Sequence, residues 1–256
     1  MKRTSISIRT SLLAIVSLLC LSAIALAGRE VIDAWANLAD AGQVESSNRT
    51  SDLLLSAAGN WAVERGIANT ALAGKNPLSS ETRKALRERR EDADAALAEA
   101  LQRVGEVDAV KAGDTTVANV KAAWKQVVDL RRQVDNALES PLAARESAVA
   151  EQWVPTMTAL IMASQNLRIA AQYLPDTAET KISQIQDAKG AIWTMSEYAG
   201  RERALIGRAV SSGKALDTAT LQTLATHRGR VEQSWLAVAP ERMPTPMSRR
   251  QRRPSI

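Results

Sequence analysis

The stretch AGNWAVERGIANTAL, residues 58–72, decides how the rest of the chain is read. From Leu53 to Ala73 the polar side chains are confined to Ser56, Asn60, Glu64, Arg65, Asn69 and Thr70, and no proline interrupts the run. Alanine and leucine dominate it, so a helix is the low-cost conformation. A helix apolar nearly all round is an interior helix. Leu54, Ala58, Trp61, Arg65, Ala68 and Leu72 follow the 4-3-4-3-4 spacing of a bundle seam. Arg65 thus falls on a line of packing residues, beside Glu64. A guanidinium there needs a partner, because burying it unpaired is very costly. The partner is a carboxylate on another helix or an anion from outside.

Outward from this stretch the punctuation is helical throughout. Gly74-Lys75-Asn76-Pro77 closes the first helix and Leu78-Ser79 opens the second, whose seam is Leu86, Arg90, Ala93, Leu97, Ala100 and Val104. The charged run at residues 87–92 reads as a solvated face with local ion pairs. Ala112-Gly113-Asp114 makes the next turn, and Val117, Val120, Trp124, Val127, Arg131, Val134 and Leu138 repeat the pattern. Ser140-Pro141 ends that helix and starts another, with proline at an allowed first-turn position. Pro155 is expected to kink or split the segment that continues through Met157, Leu160, Ile161, Leu167 and Leu174. Pro175-Asp176-Thr177-Ala178-Glu179 reads as a stop followed by a capping start for a helix running to Ser212-Gly213. Asp217 caps the last helix, with the seam Leu221, Leu224, Arg228, Val231, Trp235 and Val238. No segment alternates with period two and no hairpin signal is present. The expected fold is all-α: an N-terminal membrane anchor helix continuing into an elongated antiparallel helical bundle of about six long helices.

The charge is concentrated at the ends. The formal charge is +5. Lys2, Arg3 and Arg9 contribute +3 and residues 241–253 contribute +4, so residues 10–240 carry −2. That body offers no basic face of the size nucleic acid requires. Cys20 is the one cysteine and His227 the one histidine, which leaves no disulfide, no cysteine-type metal site and no ordinary nucleophile-plus-base arrangement. The sequence therefore predicts no enzyme, no cofactor and no metal.

Ser11 to Gly28 contains no charge, long enough to span a bilayer. A cleaved export signal ending near Ala25-Leu26-Ala27 is the competing reading. The helical pattern runs on past Gly28 through Val31, Ile32, Trp35 and Leu38, which favours an uncleaved anchor. The organisation expected is a basic cytoplasmic segment at 1–9, a transmembrane anchor at 10–28, an extracytoplasmic helical domain at 29–239 and a disordered basic tail at 240–256. The positive N-terminus places the body in the periplasm, single-pass from the inner membrane.

Residues 196–210, SEYAGRERALIGRAV, echo the opening stretch: Trp61 and Tyr198 each stand a few positions ahead of a Glu-Arg pair, with glycine nearby. In this helix Ile185, Ala188, Ile192, Met195, Ala199, Glu202, Ile206 and Ala209 keep a 3-4 rhythm. Two readings follow. Glu64 can pair with Arg203 and Glu202 with Arg65, which satisfies all four charges without a ligand. Alternatively the guanidinium forks face a small planar anion, with the carboxylates orienting them.

The charged start, the anchor, Trp-Ala-x-Glu-Arg-Gly on a long exported helix, the run Arg89-Arg90-Glu91-Asp92-Ala93-Asp94 and the later Ala-Gly-Arg-Glu-Arg-Ala-Leu-Ile together resemble bacterial chemoreceptors. The closer resemblance, over residues 5–238, is to methyl-accepting chemotaxis proteins with a nitrate- and nitrite-sensing helical domain. It implies a ligand held between bundle helices by Arg65 and by Arg203 or Arg201; the site expected here adds Trp61 and Tyr198 as its walls and Glu64 and Glu202 behind the arginines. It also implies a homodimer in the inner membrane. Such receptors return through the membrane to a cytoplasmic signalling coiled coil, and the chain reads as truncated before that part. The alternative is a non-sensing periplasmic helical adaptor or scaffold, or a non-functional fragment.

Overall fold

The computed structural model describes residues 8–106, 115–173 and 180–239. Six α-helices order the described residues: α1 Ile8–Ala73, α2 Ser80–Arg103, α3 Thr116–Glu139, α4 Ser147–Ala170, α5 Thr180–Ser212 and α6 Thr218–Val238. No strand occurs among them, so the all-α expectation holds. The chain divides into two units, Met1–Glu45 and Ser46–Ile256. In the first, Leu12, Leu13, Ile15, Val16, Leu18 and Leu19 are all exposed, and so are Val31, Ile32, Trp35 and Leu38 beyond Gly28. The stretch is long and apolar enough to cross a membrane.

The second unit is a bundle, and its ends are built as the sequence predicts. Ser79 caps α2, accepting the Thr82 amide at 3.2 Å, and Asp217 caps α6, accepting the Thr220 amide at 2.7 Å. Gly213 closes α5 in the left-handed region at φ +66°, the position that favours glycine. The C-terminal end of α1 is closed from outside by Arg145. Its Nη1 donates to the carbonyls of Ala71, Leu72 and Gly74, and its Nη2 donates to that of Asn76. A cation thereby meets carbonyls that no intrahelical donor can satisfy, at the negative end of the helix dipole.

Side-chain pairs fix the register. Glu64 on α1 meets Arg90 on α2, while Arg49 meets Glu99, so α2 runs antiparallel to α1. Arg83 meets Glu139, Arg90 meets Asp135 and Arg131 meets Asp94, which sets α3 antiparallel to α2. On α4, Ala171 lies against Ser47 and Thr158 against Arg65, again antiparallel to α1. On α5, Gln186 lies against Asn48 and Ala204 against Asn69, parallel to α1. The core is Leu54, Ala57, Trp61, Ala68 and Leu72 of α1 with Leu86, Ala93 and Leu97 of α2, Val120, Val127 and Val134 of α3, and Trp153, Met157, Leu160 and Ile161 of α4.

Several expectations need correction. Pro141 opens a short 3-10 turn, Leu142–Ala144, and α4 begins only at Ser147. Pro155 neither splits nor ends α4, which runs through it. The residue four back, Glu151, is on the exposed side, so its freed carbonyl can turn to water. Two seams are misplaced. On α5 the inward face is Gln186, Gly190, Trp193, Glu197, Gly200, Ala204 and Gly207, while Ile185, Ile192 and Ile206 are exposed. On α6 the face towards α5 runs through Leu224, His227, Val231 and Ser234, leaving Leu221 and Trp235 outside. The turn expected at 112–114, the stop and start at 175–179 and the tail at 240–256 lie outside the described residues.

Candidate functional site

Glu64 and Arg65 are adjacent and both fully buried, so consecutive positions on α1 aim opposite charges at different neighbours. Glu64 turns to α2 and α3. Its Oε1 accepts from Arg90 Nε at 2.7 Å and from Arg131 Nε at 2.9 Å, and its Oε2 accepts from Arg131 Nη2 at 2.7 Å. Arg90 reaches on to Asp135 at 2.8 Å and Arg131 to Asp94 at 2.6 Å. Burial works against the charge on both guanidiniums. Their bonds to Glu64, Asp135 and Asp94 outweigh it and hold both pKa values above the ordinary one.

Arg65 turns to α4 and α5. Nη1 and Nη2 grip Glu197 in a two-point fork at 2.8 and 3.0 Å, and Nη1 also donates to Thr158 Oγ1 at 2.9 Å. Arg201, one turn along α5, donates from Nε to the same Glu197 oxygen at 2.7 Å. Gly200 faces the fork, where a Cβ would stand at ordinary contact distance, 3.6 Å, from Arg65 Nη2. The reciprocal pairing expected from the two Glu-Arg dipeptides is therefore corrected. Both α1 charges are ion-paired, but Arg65 takes Glu197 rather than Glu202, and Glu64 takes Arg90 and Arg131 rather than Arg203.

The Arg65 layer has two cations to one carboxylate, and donors remain unspent. Arg65 Nε and Trp61 Nε1 are buried with no hydrogen-bond partner. They stand one helical turn apart on the same face of α1. Trp61 is wholly buried in the core. Beside this layer a cavity of about 210 Å³ lies between α1 and α5, lined by Ala58, Gly59, Ala62, Lys189, Trp193 and Glu197 among others.

The other residues singled out from the sequence are not gathered there. Tyr198 faces α6, where its hydroxyl accepts from Arg230 Nη1 at 2.5 Å; Arg201 and Arg230 lie 4.8 and 4.6 Å from its ring centre. Glu202 is half-buried, near enough to His227 to favour that ring's charged form. Arg203 is exposed and opens on a cleft of about 680 Å³ between the end of α1, the start of α2 and α5. Lys75 shares that lining, which contains no acidic residue.

Sequence reasoning missed Glu197. The signal was its position four residues before Arg201, the ordinary i,i+4 ion-pair spacing.

The bundle thus holds guanidinium groups in its interior and small cavities between its helices. Residues 56–251 match the family model described as nitrate and nitrite sensing, and the chain belongs to that family. No curated protein and no solved structure matches it.

Proposed function

We propose that the chain is the extracytoplasmic sensing region of a membrane-bound chemoreceptor and that it binds nitrate or nitrite between α1 and α5. One observation carries the reading: Arg65 and Trp61 present two buried N–H donors that no protein acceptor uses, beside a layer with one more cation than carboxylate. Nitrate and nitrite are small, planar and acceptor-only, the chemistry a guanidinium edge and an indole N–H are suited to hold. In this reading Arg65 is the principal contact, Trp61 an N–H donor and wall, and Arg201 the second cation. Glu197 holds the site closed until an anion competes for the fork. Arg203, with Lys75, raises the local anion concentration at the open cleft, and Tyr198 orients Arg201. Glu64 and Glu202 stand behind.

The apolar part of α1 is read as a span of the inner membrane, with Lys2, Arg3 and Arg9 inside and the bundle in the periplasm. A chain that survives alkaline carbonate extraction in the membrane fraction supports this, and a soluble protein starting at Gly28 overturns it. The exposed Ile185, Ile192, Ile206 and Val210 on α5 are the face assigned to a second copy of the chain. Light scattering that reads a monomer at working concentrations overturns that assignment.

The sensing reading is tested by thermal melting of the full chain in detergent, wild type against Arg65→Ala, with and without nitrate or nitrite. A ligand at a hundredfold excess over its dissociation constant stabilises by about 2.7 kcal/mol. Wild type is expected to gain this and Arg65→Ala to lose it. A wild type that neither anion stabilises, or an Arg65→Ala chain that responds as wild type does, overturns the proposal.

A further inference from the structure

The polar interior does not end at Arg65. The seam of α1 changes character one level higher, where Ser47, Thr50 and Ser51 take the positions that Leu54, Ala57, Ala58 and Trp61 hold below; all three are buried. Opposite them α4 presents Ser164, Gln165 and Arg168, all buried as well. The register follows from three side-chain contacts. Ser47 Oγ donates to the Ala171 carbonyl at 2.8 Å and accepts from the Tyr173 amide at 2.9 Å, and Asp52 pairs with Lys189 of α5 at 2.7 Å. Thr50 and Ser51 therefore come level with Arg168 and with Gly190.

Arg168 differs from every other buried arginine described. Arg65, Arg90 and Arg131 each hold a carboxylate at 3.0 Å or less. Arg168 is 2% exposed and donates only from Nε, to the neutral Gln165 Oε1 at 2.7 Å. Its Nη1 is buried with no partner, and no ion pair reaches it among the described residues. A Cβ on Gly190 would stand 3.8 Å from Nη2, so α5 brings no side chain to that edge from this position. Burial lowers the Arg168 pKa and no neighbouring charge opposes the shift. An arginine stays charged even so, and an isolated buried charge is very costly.

The hydroxyls around it are idle too. Ser and Thr inside a helix commonly return their proton to the carbonyl four residues back. Ser22, Thr194, Thr223 and Thr226 do this here. Thr50 Oγ1, Ser51 Oγ and Ser164 Oγ do not, and each is buried with no partner. One guanidinium and three free hydroxyls, all able to donate, fall within about one helical turn of one another by this register.

We infer that this level, between α1, α4 and α5, binds a small monovalent inorganic anion held by Arg168 with help from Thr50, Ser51 and Ser164. The charge selects the class. The site has one cation and otherwise neutral donors, so a monoanion neutralises it, whereas a dianion such as sulfate would bring a net buried charge. Fifteen residues separate Thr50 from Arg65, about 22 Å along α1, so this site is distinct from the one proposed above and does not depend on it.

The test uses chloride as the probe. The full chain in detergent is melted at constant ionic strength while chloride replaces gluconate, which is too large to enter. Wild type is expected to rise by about 5–10 °C at a hundredfold excess of chloride over its dissociation constant. Sulfate at matched ionic strength is expected to give no such rise. Arg168→Met, close in length and uncharged, is expected to melt at least as high as wild type in gluconate and to ignore chloride. Arg65→Ala is expected to keep the chloride response, which separates this site from failure or success of the nitrate reading. Thr50→Val and Ser164→Ala keep the guanidinium, so they decide the matter even where Arg168→Met does not fold. Each is expected to need several-fold more chloride for the same rise. Unchanged chloride dependence in both hydroxyl variants, no chloride response in wild type, or a full response in Arg168→Met overturns the inference.

Discussion

Replacing Glu197 by glutamine is the sharpest probe of the Arg65 layer. The substitution keeps shape and one acceptor oxygen but removes the charge, and it turns an NH2 towards a guanidinium that can only donate. In the folded chain Arg65 is fully buried and Glu197 is 2% exposed at the side chain. Thr158 is the other acceptor of the Arg65 side chain and carries no charge. Removing one partner of such a pair leaves an uncompensated buried cation and costs about 3–5 kcal/mol. For a chain of this size each kcal/mol moves the midpoint by about 2–4 °C, so Glu197→Gln is expected to melt about 6–20 °C below wild type.

Glu64→Gln serves as the internal comparison. Glu64 is as deeply buried, yet Arg90 retains Asp135 and Arg131 retains Asp94 when it is neutralised. Its loss is expected to be the smaller of the two. Nitrate then gives the functional readout. On the proposed reading an anion must displace Glu197 from the fork in wild type, whereas in Glu197→Gln it supplies the missing charge. Nitrate should therefore rescue the variant, binding it at least about tenfold more tightly, which is about 1.4 kcal/mol. Differential scanning fluorimetry of both variants with a nitrate titration measures all of this. A Glu197→Gln chain melting within about 2 °C of wild type would refute the burial argument. Equal nitrate stabilisation of both chains would refute the competition between ligand and carboxylate.

Two further predictions concern α5 and its neighbours. Burial holds the His227 pKa below its usual 6.5, with Arg201 and Arg230 adding to the shift against the opposing charges of Glu202 and Glu197. The unfolded chain then binds the proton more readily, so this contribution to stability is complete above pH 6.5 and is lost as the pH falls through the folded pKa. Melting points between pH 7 and pH 5 should drop more steeply in wild type than in His227→Gln, and parallel curves would remove the effect. At Gly207 a Cβ would stand 2.7 Å from Thr70 Oγ1, on a β-branched side chain with little freedom to turn away. Gly207→Ala is expected to cost about 1–3 kcal/mol despite alanine's better helix propensity. Most of that should return in Gly207→Ala with Thr70→Ala, and additive losses in the double variant would show that the contact is not the cause.

The legible and illegible parts of the sequence divide along chemistry. On α1, α2 and α3 the buried face is mostly Leu, Val, Ala and Trp, so hydrophobic period finds it, and Arg90 and Arg131 stand out as charges on an apolar line. Their partners follow once α2 and α3 are laid beside α1. On α5 the inward face is, apart from Trp193 and Ala204, glycine, glutamine and glutamate, the residues a search for apolar rhythm passes over, and the isoleucines that keep the rhythm face outward. The misread seam hid Glu197 and so assigned Arg65 the wrong carboxylate. Arg168 was available by the logic that singled out Arg65. It stands four residues beyond Ser164 and seven beyond Ile161, both buried on α4, and Leu167 beside it drew the seam away.

The two charged layers around residues 64 and 65 are best understood together. The Glu64 layer holds three carboxylates, Glu64, Asp94 and Asp135, against two arginines, Arg90 and Arg131. The Arg65 layer holds one carboxylate, Glu197, against Arg65 and Arg201. Each is out of balance by one charge, in opposite directions, and the two are joined by a single peptide unit of α1. Neither buried arrangement is expected to add much stability over apolar packing; what it adds is a defined rotation of α1 between its neighbours. An anion that releases Arg65 from Glu197 removes the buried ion pair between α1 and α5, leaving the Asn48–Gln186, Asp52–Lys189 and Asn69–Ala204 contacts, while the three bonds from Arg90 and Arg131 to Glu64 hold α1 to α2 and α3. On the proposed reading the ligand would then change how α1 is fastened to α5 at this one layer, with its bonds to α2 and α3 unchanged. That is the property a sensing helix needs, because a ligand shifts a conformational equilibrium only through interactions that differ between its states.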